Sequence, residues 1–229
     1  MGVTPAQLSK LFPHLYHMAH RDSWEGIQRH GLLSTVALLK LFEVSAEKRV
    51  SILTKQRTES IPIEHEKYGR SVIRDQKPLI RAKLEPSLDD CSFQQWLEML
   101  NSRVFFWLTR DRLQTLTCAR EYCADQHVVI VLDTLRVATD FQESITLARM
   151  NTGNTRPFAH RRGLSTFSRM ADYPFQERIQ KRLEPVVELA VEVGVTDITR
   201  YAIEVAEMQC STCDKNNVQT IRRIRTLYP

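Results

Sequence analysis

A chain of 229 residues that is 42% hydrophobic and 26% charged can bury a core and is not a disordered tail. Its apolar runs, such as Val128–Asp133 and 186–195, are too short to cross a bilayer, and its N-terminus (Pro5, Gln7, Ser9, Lys10) lacks the apolar stretch of a signal peptide, so a cytoplasmic, membrane-free protein is expected. The net charge of +5 helps a polyanionic partner approach, and the odd count of five cysteines predicts reduced thiols and no disulfide framework.

In chain order, residues 16–19 form a predicted short strand. Asp22-Ser23 then offers an N-cap for a helix running to His30, which Gly31 ends. A helix from Thr35 to about Phe42 follows, and residues 45–70 show neither a helical nor a strand period and are expected to be irregular. "SFQQWLEMLN" carries Phe93, Trp96, Leu97 and Leu100 at helical spacing behind Ser92 as cap. "RVFFWLT" and "HVVIVLDT" are predicted strands with an amphipathic helix, 110–125, between them. "SITLA" and "VVELAVEVGV" complete the predicted strands, and "TDITRYAIEVAEM" has the spacing of a closing helix. Between them, 150–174 reads as a long loop, functional by default. No internal repeat interrupts this order, which fits one α+β domain.

Several familiar signatures are missing: no phosphate-binding Walker loop, no dinucleotide-binding glycine pattern, no H-E-x-x-H and no nucleophile elbow. Cys210 and Cys213 have metal-site spacing, but Cys118 and Cys123 make a poor second pair, so zinc is disfavoured and no metal is expected. His17 is open between a core histidine and a ligand contact. Glu188 lies in an apolar strand, where an acid is costly unless it is paired or faces a cleft; an edge strand with the acid in solvent is the alternative. Arg74 reads equally as a salt-bridge partner of Asp75 or Glu66. The cluster Arg156, His160, Arg161 and Arg162 is either a solvated patch or, with Asn151 and Asn154, a group able to address phosphates and base edges.

Taken together, "LYHMAHRDSWEGIQRHGLLS", "RVFFWLT" and "VVELAVEVGVTDITRYAIEV" resemble the first strand and helix, the central strand and the glutamate-bearing segment of the ADP-ribosyltransferase fold. The likeness is to the DarT-type toxins that modify nucleic acid and to a related bacterial family of unassigned function. It implies an α+β fold with split central β-sheets flanked by helices, a catalytic domain over 1–209 and a basic tail over 210–229. It also implies NAD as co-substrate, RNA or DNA as acceptor and an antitoxin as partner. Glu188 takes the catalytic role, stabilising positive charge at the ribose and accepting a proton, and Arg74, with Arg70 second, holds the phosphates. His17 contacts the ribose or carboxamide, while Gly31 and Leu32 close a wall. One of Phe106 and Trp107 stacks on nicotinamide. Asn151, Asn154, Arg156 and Arg162 face the acceptor. The sequence departs from the DarT pattern in having Leu108-Thr109-Arg110 in place of a proline-arginine step, and its loop "MNTGNTRPFAHRRGLSTF" has no counterpart there. The same chemistry on a protein acceptor, and a non-catalytic RNA-binding module, are the competing readings.

Overall fold

The computed structural model describes residues 2–213 and 218–229. Twelve strands are formed among them: β1 (His14–His20), β2 (Leu32–Leu33), β3 (Ile61–His65), β4 (Gly69–Ile73), β5 (Arg103–Trp107), β6 (Gln126–Asp133), β7 (Ile145–Ala148), β8 (Ser168–Arg169), β9 (Glu188–Glu192), β10 (Gly194–Val195), β11 (Ala202–Cys213) and β12 (Val218–Tyr228). Eight of them make one antiparallel sheet in the order β12-β11-β6-β1-β5-β9-β7-β8, while β3 pairs with β4 and β2 with β10. With its helices, this is a single α+β domain.

β1 pairs with β6 along its whole length, and β5 with β9 along its whole length, yet β1 and β5 meet only at Tyr16 and Trp107. The sheet is therefore two four-stranded halves joined at one pair. The His17 ring fills part of the parting, its Nδ1 lying 2.8 Å from the Phe105 carbonyl. Alternation along the strands separates two apolar layers. Leu15, Phe106, Ile130, Leu189 and Val191 belong to the larger cluster, and Met18, Trp107, Val129, Val131 and Val187 to a second one on the other face.

The local chemistry explains most helices. Ser92 and Gln95 form a reciprocal capping box ahead of the helix Phe93–Asn101, whose Trp96 and Leu97 are fully buried. Ser34 caps Thr35–Leu41 through a bond from the Ala37 N–H. Ser23 stands at the start of Trp24–His30 but makes no side-chain cap bond.

Four expectations are corrected. Residues 45–70 are not irregular: Ser45 caps a helix, Ala46–Thr54, and the β3–β4 hairpin follows, its buried Ile63 and Ile73 packing with Leu39, Phe42 and Ile52. The expected closing helix over 196–208 is a short turn at Ile198–Arg200 followed by β11. The division at 209/210 falls inside β11, and the basic segment beyond it contributes β12, the outer strand of the sheet. Finally, Cys118 and Cys210 are joined as a disulfide with Cα atoms 5.1 Å apart, against the expectation of reduced thiols. The Cys213 side chain of the expected C-x-x-C pair lies outside the described residues.

Candidate active site

The parting between the half-sheets opens into a cavity of about 310 Å³. Because the strands separate there, side chains from both faces reach it. Tyr16, Trp107 and Glu188 stand in one cross-strand row, since Tyr16 is paired with Trp107 and Trp107 with Glu188. His17 and Phe106 approach from the opposite layer with ring centroids 5.7 Å apart. Arg57, Arg74, Asn101 and Tyr122 form another part of the wall, and Asn151, Thr152 and Gly153 border it from the loop after β7.

Glu188 is 4% exposed. Burial pushes its carboxyl up to about 7, while hydrogen bonds from Thr152 and the positive charges of Arg162 and Arg112 pull it back. Both donors of Thr152 go to one oxygen: its N–H lies 3.1 Å from Glu188 Oε2, and its hydroxyl donates to the same atom. No protein donor reaches Oε1 among the described residues, so one oxygen is held and the other is free for a ligand.

His17 is neutral, because burial drives its pKa down to about 4 against the help of the Phe105 bond, and Arg74 nearby lowers it further. A carbonyl only accepts, so the proton sits on Nδ1 and Nε2 keeps a lone pair. The imidazole thus has one role left toward a ligand, that of acceptor.

Two guanidinium groups share the wall. Arg74 Nη1 donates to the Met18 carbonyl at 3.2 Å, and its guanidinium carbon lies 4.7 Å from the centre of the Tyr122 ring. Tyr122 in turn donates to Asp75 Oδ1 at 2.6 Å. Arg57 is 8% exposed and reaches the carbonyls of Arg74 (2.9 Å) and Ile52 (3.0 Å) and Asn101 Oδ1 (2.9 Å). Burial lowers it to about 10, which leaves it charged at neutral pH. Neither arginine has a carboxylate within 4 Å among the described residues, although Asp75 supports both charges from farther off.

Of the residues singled out in the sequence, His17, Gly31, Leu32, Arg74, Phe106, Trp107, Asn151 and Glu188 line this cavity. Arg70 does not; it is exposed on β4 beside Glu64, 3.7 Å away. Gly31 (φ 89°) is required by the chain itself, since a Cβ there would stand 2.8 Å from the Val195 carbonyl across the β2–β10 ladder. Asn154 caps a turn, its side chain bonding the backbone of Arg156. Arg156 and Arg161 are paired with Glu121 and Asp89, and Arg162 is buried within the loop at 2% exposure. Asn154, Arg156 and Arg162, expected to face an acceptor, do not line the cavity. Thr152, Arg57, Asn101 and Tyr122 were missed: Thr152 reads as an ordinary loop residue, and Arg57 sits where the sequence shows no period.

Among the described residues no cluster of three or more His, Cys, Asp or Glu is placed to hold a metal ion, and no helix is long and apolar enough to cross a membrane. Fold and site define an α+β protein whose split antiparallel sheet carries a buried acid, a neutral histidine and two arginines on one cavity. Residues 13–202 match a family of unknown function (DUF7002), and the chain belongs to that family. Neither the curated proteins nor the solved structures include a match to it.

Proposed function

We propose that this protein is an NAD-consuming ADP-ribosyltransferase, related to the DarT-type enzymes it resembles, that transfers ADP-ribose to nucleic acid. The observation that carries the reading is Glu188: an acid in the interior of the sheet, at the parting of its halves, with one carboxylate oxygen fixed by Thr152 and the other unpartnered. The wall around it fits a dinucleotide. Arg57 and Arg74, lacking carboxylate partners among the described residues, suit a diphosphate. His17 Nε2 suits a ribose hydroxyl as donor, and the apolar and aromatic surface of Phe106 and Trp107 suits a planar ring.

In this reading NAD supplies an anomeric carbon with a positively charged leaving group. Glu188, once ionised, sets its negative charge beside the carbon as that bond weakens, and then accepts the proton of the attacking acceptor atom. His17 holds a ribose hydroxyl, and the arginines hold the diphosphate so that the departing ring leaves in line. The net charge of +5 favours a polyanionic acceptor. A protein acceptor is the second reading, favoured by one observation: Arg156, Arg161 and Arg162 of the loop after β7 are committed to Glu121, Asp89 and the loop's own carbonyls.

Incubation with adenylate-labelled NAD, RNA, DNA and cell protein tests the acceptor. The proposal expects label in a nucleic-acid fraction with Arg74→Gln strongly reduced; label confined to protein would select the second reading. No label and no NAD binding would leave a binding module without catalysis.

A further inference from the structure

Arg162 was expected to meet an acceptor, and its surroundings assign it different work. Its Nη1 donates to the carbonyls of Thr152 at 3.0 Å and Asn154 at 3.1 Å, and its Nε donates to the carbonyl of His160 at 2.9 Å. One guanidinium thus closes the turn 152–162 on itself. The residue is anchored from behind, since its backbone exchanges hydrogen bonds with Ser87 and Asp89, and its guanidinium carbon is 5.8 Å from the Trp96 ring. Unlike Arg156 and Arg161, it has no ion pair among the described residues; Glu188 is the acid whose charge supports it. Its Nη2 is buried and has no hydrogen-bond partner among the described residues.

The carbonyl that Arg162 holds belongs to Thr152, the residue whose N–H and hydroxyl both reach Glu188 Oε2. We propose that Arg162 is a positioning residue: through Thr152 it fixes the Glu188 carboxylate with Oε2 occupied and Oε1 presented to the cavity, so that the loop after β7 sets the acid's orientation and charge. A carboxylate held by two donors to one oxygen, with a guanidinium behind them, ionises at a lower pH than burial alone would allow. The other groups bearing on Glu188 are Arg112, whose charge acts from the helix after β5, and Trp107 and Ala148, its neutral cross-strand neighbours.

The inference rests on the proposed function only for its activity arm. Its direct test is a carbon-13 titration of the glutamate carboxyls, the Glu188 signal being assigned by its loss in Glu188→Gln, over about pH 5 to about pH 9. Wild type should titrate near 7. Thr152→Val should move the midpoint up by about one unit, Thr152→Ser should hold it near wild type, and Arg162→Met should raise it through a residue that does not touch the carboxylate. In nicotinamide release, Thr152→Val and Arg162→Met should lower kcat about tenfold at neutral pH with KM little changed, and alkaline pH should recover part of the loss. Should Arg162→Met fail to fold, Arg162→Lys keeps the charge without the fork that spans three carbonyls, and a smaller upward shift is expected. Midpoints equal to wild type in folded Arg162 variants overturn the proposal. Shifted midpoints in a protein that never cleaves NAD uphold it and overturn the proposed function.

Discussion

At the residue scale, two titratable groups, the buried Glu188 and the half-buried His17, lean in opposite directions, and each sign has a consequence. The folded pKa of Glu188 is raised, so the native state binds its proton more tightly than the unfolded chain does. The stability this gives is complete below the ordinary value of 4.5 and is lost as pH rises to about 7, on the order of 3 kcal/mol if the group is fully coupled. Glu188→Gln keeps an acceptor for Thr152 without the charge; it should melt several degrees above wild type at alkaline pH and show no such gain in acid. Equal gains at both would mean the carboxyl is not strained by ionisation. For His17 the folded pKa is depressed, so its contribution is present above 6.5 and is lost as pH falls toward 4. Nitrogen-15 spectra should show neutral, Nδ1-protonated imidazole throughout neutral pH; a His17 that protonates near 6.5 would contradict the assignment. Both residues were legible in the sequence, the acid because it interrupts an apolar strand and the histidine through the resemblance of its surroundings. Thr152 and Arg162 were not legible as partners of the acid, because a loop's internal bonds follow from its folded path and not from any period.

At the element scale, the segment 196–208 explains where pattern reading failed. Ile198, Tyr201, Val205 and Met208 recur every three or four residues, which is helical spacing, and all four are buried. The chain nevertheless runs as a strand, because it fills the place between β6 and β12. Register shifts at Ala202/Glu204 against β6, and at two places against β12, break the strict alternation that would have announced it. The strand–helix–strand order over 103–133 was legible because its periods are clean, but the helix expected over 110–125 ends at Thr117 and gives way to turns before β6. β11 is also tied to the end of the helix Arg110–Thr117 by Cys118–Cys210, a bridge spanning 92 residues of sequence. By the chain-entropy argument such a loop contributes about 4.6 kcal/mol. Reduction, or Cys210→Ser, should lower the urea midpoint of unfolding accordingly; an unchanged midpoint under reducing conditions would show that the bridge adds nothing to stability.

At the scale of the whole molecule, the central fact is a sheet that comes apart in its middle. Complete pairing of β1 with β5 would leave no cavity, and the single pair Tyr16–Trp107 keeps the halves together while His17, Arg57, Arg74 and Glu188 gather around the opening. The family match over 13–202 spans all of these residues. Expecting one α+β domain needed only composition and element order. Placing the cavity needed the strand order, which no local signal carries. The most direct test of the account is nicotinamide release from NAD by purified wild type and Glu188→Gln, followed from acid to alkaline pH. Release by wild type should rise with pH to a plateau with a midpoint near 7, and it should be lost in a variant that remains folded. A folded Glu188→Gln that releases nicotinamide at the wild-type rate would contradict it.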